Sequence, residues 1–181
     1  MVMHGLHRKV DNWFARNAIK LSRSFAIVFG IIWGIDGSLK FTGALATSLS
    51  STIAQAAQGQ PSWLQGWFSF WAAQTASNPA FWVYLVGFLE LALAFALITG
   101  FMRKAAYTGG VFLSVFIWAV PEGFGGPYGP ASTDIGTGIV YAMVFMFLMV
   151  LNATHGANPY SLDAWIEKRI NWWKDIAELR H

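Results

Sequence analysis

Five charged residues stand within or beside apolar runs of this chain: Asp36, Lys40, Glu90, Glu122 and Asp134. Such groups can pair, carry protons or hold a ligand, because an unmatched charge in an apolar setting is costly. Asp36 and Lys40 are spaced i, i+4, so they share one helix face and can pair with each other. Glu90 is a lone carboxylate in a long apolar run. It must pair with Lys40 or a tyrosine, titrate, or reach water. Asp134 follows Ser132 and Thr133, in place to N-cap a helix. Glu122 stands in a loop and is either solvated or part of a site. Glu90 and Asp36 are the candidate proton-handling catalytic residues. Lys40, Glu122 and Asp134 are candidates for binding substrate.

The elements that position these residues follow from hydropathy. The chain has 181 residues, 55% of them hydrophobic and 12% charged. That is well outside the range of an ordinary soluble domain. Four apolar segments stand out, at about 24–42, 80–99, 105–121 and 135–152. At 1.5 Å per residue each is long enough for a hydrocarbon core of about 30 Å, the third barely. The expected fold is all-α: a four-helix membrane bundle over 24–152, with amphipathic segments at 1–23 and 153–181. Val10, Trp13, Phe14 and Leu21 form an apolar stripe in the first segment. Leu162, Trp165, Ile166, Trp173 and Ile176 do so in the last, with Ser161 as its N-cap.

Charge placement orients the bundle. Arg8, Lys9, Arg16, Lys20 and Arg23 precede the first segment, Arg103 and Lys104 separate the second from the third, and Lys168, Arg169, Lys174 and Arg180 follow the fourth. The positive-inside rule places these blocks and both termini in the cytoplasm, in a multi-pass plasma-membrane protein. The net charge of +3 then reflects anionic headgroups and not nucleic acid. By helical rise, Asp36 lies roughly 18 Å, Lys40 roughly 24 Å and Glu90 roughly 14 Å above the inner side. All five charged residues can therefore meet in the outer half of one bundle. Trp33, Trp82, Tyr84 and Trp118 could wall a cavity there, or serve as ordinary aromatic core.

The first outer loop, 43–79, carries no charge. Leu45, Leu49 and Ile53 repeat every four residues, and Trp63, Leu64, Trp67, Phe68 and Trp71 form a second stripe. These read as helices that lie on lipid as an aromatic belt or cap the bundle, as a lid over a lipid-soluble ligand. Gly30 and Gly34, and Gly136, Gly138 and Ala142, mark close helix contacts. The second outer loop is dense in glycine and proline. With Gly125 and Gly126, the N-terminus of the fourth segment and Lys40, it could hold a small anion, though the carboxylates oppose this.

The chain has no cysteine. That excludes thiolate iron–sulfur ligation and thiol relays within it. His155 sits at the inner end of the fourth segment, and His4, His7 and His181 are terminal. No haem or metal site is therefore expected.

The loop PEGFGGPYG followed by TDIGTGIVYA, with WGIDGSLKF on the first span, resembles the DoxX/DoxD family of four-helix membrane proteins. The resemblance covers about 24–152. It is greatest to the DoxD type, the membrane subunit of thiosulfate:quinone oxidoreductase. It implies that two thiosulfates join as tetrathionate on the outer face and two electrons enter the quinone pool of a respiratory chain. Quinone would be the electron acceptor, and a small DoxA-like subunit would accompany the chain. Two other classes stay open. One is a non-catalytic accessory subunit of a larger respiratory complex. The other is a small transporter or lipid-ligand binder.

Overall fold

The computed structural model describes residues 2–128, 134–156 and 158–179. Among them there is no strand. Helix α1 (Val2–Leu39) is 38 residues long and unbroken, so the N-terminal segment expected before residue 24 is continuous with the first apolar segment. A single 3-10 turn at Lys40–Thr42 ends it. Helices α2 (Ala44–Ala56) and α3 (Gln65–Ser77) form a hairpin. Helix α4 (Pro79–Thr99) starts where Asn78 accepts the Phe81 N–H and Pro79 needs no partner. It stops at Gly100, whose φ of 67° favours glycine. Helix α5 (Arg103–Ala119) follows within three residues, and α6 (Thr137–His155) returns. The chain ends in two short helices, α7 (Leu162–Ile166) and α8 (Lys174–Ala177).

Three regions, 10–42, 79–99 and 137–155, are long and apolar enough to cross a membrane. Their outward faces carry exposed large apolar side chains, among them Val28, Ile35, Phe88, Phe95, Met143 and Phe147. A soluble monomer rarely shows so much contiguous apolar surface, and these helices point to a membrane protein.

The bundle consists of two close-packed pairs. In α1–α4, Gly30 lets the backbones approach: a Cβ there would lie 3.1 Å from the Ala94 carbonyl oxygen and 2.8 Å from Leu97. In α5–α6, a Cβ at Gly138 would lie 2.7 Å from the Ser114 carbonyl oxygen. Gly30 and Gly138 thus mark close helix contacts as expected, whereas a Cβ at Gly34 would have ordinary room, 3.6 Å from Ala94, and Gly136 precedes α6. Phe29 and Trp33 of α1 interlock with Tyr141 and Phe145 of α6 at ring separations of 5.0–5.6 Å, which joins the pairs on one side.

The last segment is not one amphipathic helix. It is a strap, residues 158–179, tied to the turn between α4 and α5. Ser161 caps α7 by accepting the Ala164 N–H, as expected. Asp163, fully buried, accepts the backbone N–H groups of Met102 and Arg103 at 2.8 and 3.0 Å, Arg103 Nε at 3.1 Å and Trp173 Nε1 at 2.8 Å. Arg103 also pairs with Glu178. Arg23 donates to the carbonyls of Leu97, Ile98 and Tyr160. Arg23 and Arg103 were expected among headgroups. Instead both are buried, because carbonyls and carboxylates replace their water.

Candidate functional site

At the opposite end, the α2–α3 hairpin covers the bundle. Ile53 and Phe68 are buried against Val120, with Leu49, Trp71 and Phe116 packed around them. Three side-chain hydrogen bonds fix the hairpin to its neighbours. Gln60 donates to the Gly123 carbonyl at 2.7 Å, Trp67 to Ala119 at 2.9 Å, and Trp82 of α4 to Gln74 at 3.2 Å. The hairpin is a cap on the bundle. Trp63, Trp67 and Phe70 still face outward.

At this end lie two chambers that share a wall, the first of them directly beneath the hairpin. The first, about 330 Å³, is mostly apolar and includes Leu45, Leu49, Trp71, Trp82 and Phe116. Trp71 meets Phe116 and Trp82 edge-on, with ring centres 4.9 and 5.8 Å apart. The second, about 400 Å³, is polar and is lined by Trp33, Asp36, Ser114, Thr137 and Tyr141. Lys40, Glu90, Ile117 and Glu122 line both.

The shared wall holds the central ion pair. Lys40 Nζ lies 3.2 Å from Glu90 Oε2. Lys40 donates to the Asp36 backbone carbonyl at 3.5 Å, so it turns across the bundle to α4 in place of pairing with the Asp36 carboxylate. Glu90 is only 2% exposed. Its Oε2 meets the amine as an ion pair without the alignment of a hydrogen bond.

Three buried polar atoms belong to residues lining the polar chamber and have no hydrogen-bond partner among the described residues: Trp33 Nε1, Ser114 Oγ and Glu90 Oε2. Trp71 Nε1, on the apolar side, is in the same state. Buried polar groups in native proteins are nearly always matched, so such a concentration points to ordered water or a ligand's polar atoms. Other indoles nearby are matched. Trp67, Trp82 and Trp118 each donate to a backbone carbonyl.

Glu122 and Asp134 have exchanged their expected roles. Glu122 Oε2 accepts the Gly138 N–H at 2.8 Å, so it caps α6 from across the loop while facing both chambers. Asp134 is exposed and closes a local turn onto the Gly136 N–H at 2.7 Å. Ser132 and Thr133 lie outside the described residues. The expected anion cradle is not assembled at the chambers. Gly125 packs against the Ile135 carbonyl and Gly126 against Gln60. The α6 N-terminus is occupied by Glu122. Tyr84 stacks on Phe41 with ring centres 5.4 Å apart, and Trp118 donates to Ile135. Neither lines a chamber, whereas Trp33 and Trp82 do.

No family model, curated protein or solved structure matches this chain.

The chemistry at hand is therefore one amine, three carboxylates, two indole N–H donors and one hydroxyl without hydrogen-bond partners among the described residues, divided between a polar and an apolar compartment. Among the described residues no three His, Cys, Asp or Glu side chains are close enough to hold a metal ion. Sequence reasoning missed Ser114 and treated Trp71 only as part of a stripe. Whether an indole N–H finds a carbonyl depends on tertiary neighbours, and no local pattern reports it.

Proposed function

We propose that this chain is the membrane subunit of a quinone-linked oxidoreductase. Its ring site is the apolar chamber, and its proton-handling groups lie in the polar one. The observation that carries this reading is the shared wall, where the Lys40–Glu90 pair separates an aromatic chamber from a polar chamber with unmatched donors and acceptors. Four spans in the plasma membrane with both termini inside remain the arrangement we favour. Helix α5 has 17 residues, about 26 Å at 1.5 Å per residue. It exposes Phe112 and Val115, as a lipid-facing helix would. The hairpin end then faces outward.

The residues fit a quinone ring. Trp71, Trp82 and Phe116 offer flat apolar surface, and Trp71 Nε1 is a donor for a ring carbonyl. When bound, a quinone accepts two electrons and two protons. Lys40 stabilises negative charge on a neighbouring oxygen. Glu90, which lines both chambers, can take up a proton from the polar side and pass it toward the ring. Asp36, Glu122 and Tyr141 line that polar side.

The electron donor follows from the resemblance. Two thiosulfates lose one electron each and join through a new S–S bond as tetrathionate, and the two electrons leave to the acceptor. Asp36, Glu90 and Glu122 oppose a dianion in the polar chamber, with Lys40 alone attracting it. Thiosulfate or a related sulfur anion would therefore approach Lys40 with carboxylates protonated, or react on a DoxA-like partner.

The test is thiosulfate-dependent reduction of a short-chain quinone by purified protein, alone and with whatever co-purifies, with tetrathionate measured as product. Turnover that is lost in Lys40→Ala while assembly is unchanged supports the reading. Absence of turnover with stable partners present would favour an accessory subunit of a larger respiratory complex.

A further inference from the structure

Helices α4 and α5 are joined by a turn of three residues, yet they do not close on each other. Helix α4 is drawn to α1 at Gly30, and α5 is drawn to α6 at Gly138. Between them runs a groove of about 800 Å³. It extends from Phe101 near the strap to Trp82 under the hairpin, 19 residues apart, or roughly 29 Å of helix. That is close to the thickness of a hydrocarbon core. Trp82, Val86 and Phe116 line both the groove and the apolar chamber, so the groove ends where the chamber begins.

We infer that the chamber's ligand is a long-tailed neutral amphiphile, an isoprenoid or alkyl quinone, with its tail in the α4–α5 groove and a ring carbonyl on Trp71 Nε1. This rests on the reading above and specifies the substrate class. The choice of occupant follows from what lines the two ends. The groove wall is apolar along its length, with Leu89, Ala92, Phe95, Ala105 and Phe112 in it. A phospholipid would need a headgroup site at one end. At the strap end Arg103 is already held by Asp163 and Glu178. At the hairpin end Lys40 is already held by Glu90, and the unmatched donor among the residues that line the adjoining chamber is neutral, Trp71 Nε1. A single neutral donor suits a carbonyl and not a charged phosphate. The bilayer is as apolar as the groove, so tail binding draws on shape and packing and not on escape from water.

Gly109 gives a clean test. It lines the groove, and a Cβ built there meets nothing within 4 Å. A phenyl ring at that position enters the groove without displacing core. Protein in lipid nanodiscs would be titrated with 2,3-dimethoxy-5-methyl-1,4-benzoquinone, with and without a decyl tail, and binding expressed per mole of lipid. The wild type should prefer the tailed form at least tenfold. Gly109→Phe should abolish that preference and leave the tail-less affinity within twofold, while Gly109→Ala behaves as wild type. Trp71→Phe should weaken both forms alike, at least fivefold.

If the wild type binds the ring without preferring the tail, or Gly109→Phe keeps the preference, the groove is not the tail site and the ring site stands. If neither form binds the wild type, the quinone reading itself fails and the inference falls with it. Loss of co-purified phospholipid in Gly109→Phe with tailed-quinone binding intact would make the occupant a bilayer lipid. A changed oligomeric state would make the groove an interface between copies. Either result overturns the inference.

Discussion

Lys40 and Arg103 each pair with a buried carboxylate, at opposite ends of the same bundle, and the two clusters are built on different terms. Around Arg103 the network is nearly closed. Asp163 accepts four N–H groups, and Asn152 exchanges hydrogen bonds with Ala177 and Leu179 at 3.0 and 2.9 Å. Glu178 Oε2 and Glu167 Oε1 have no hydrogen-bond partner among the described residues, but the cavity that Arg103 lines is only about 20 Å³, room for about one water. Around Lys40 the network is open. One amine faces three carboxylates beside about 400 Å³ of space, with indole and hydroxyl groups unmatched. A closed network holds a fold together. An open one leaves interactions for something else to complete.

The sharpest way to break this contrast is Asp163→Asn. It leaves Arg103 short of a buried partner, a change that typically costs about 3–5 kcal/mol. The apparent melting temperature in detergent should fall, and protease should cut readily within 158–179. A variant as stable as the wild type would show that the strap is not what secures the α4–α5 turn.

Glu122→Ala should cost less, about 1 kcal/mol, through loss of the cap on Gly138. Hydrogen exchange should speed up in the first turn of α6 and nowhere in the strap. Asp134→Ala, which removes only a local turn contact, should leave that exchange unchanged; a larger effect there would restore Asp134 as the cap.

Glu90→Gln inverts the pattern. The Lys40 side chain is 24% exposed and still faces Asp36 and Glu122, so stability should change by less than about 1 kcal/mol. Quinone reduction should fall at least tenfold and lose its pH dependence. If Glu90→Gln instead unfolds the protein as Asp163→Asn does, the two clusters are of one kind and the contrast disappears.

The smallest effect concerns Glu167. Burial raises its pKa above the ordinary 4.5, although Arg103 pulls it down. A raised carboxyl favours the docked strap when protonated. That contribution is complete below the unfolded pKa and is lost as pH rises through the folded value. Glu167→Gln should match the wild type in mild acid and become slightly the more stable toward neutrality, as read from strap proteolysis against pH. A gap that opens toward acid would reverse the sign.

The hairpin-end cluster was largely legible in the sequence, because charges stand out in apolar runs and helical rise converts residue number into depth. Lys40 was among the partners open to Glu90, but its i, i+4 spacing to Asp36 competed, and spacing alone could not choose between them. The strap-end cluster was not legible. Asp163 and Glu178 sit among Lys168, Arg169 and Lys174, where carboxylates look like a solvated face, and their partner is 60 and 75 residues away. Glu122 and Asp134 were exchanged for a related reason. Capping rules are local, and a side chain 16 residues upstream can win when the loop folds back. The α4–α5 groove was hidden by a similar competition. A short turn suggests that two helices pack together, but Gly30 and Gly138 draw them to other partners.

Asp163 also bears on how the molecule is made. The N–H groups that open α5 find their acceptor on a residue 60 positions later, which at 5–20 residues per second is synthesised about 3–12 s afterwards. During that interval the α4–α5 turn lacks the Asp163 contact that Met102, at φ 48°, makes in the folded protein. The turn is therefore secured from its C-terminal side, after the helices it joins have been made.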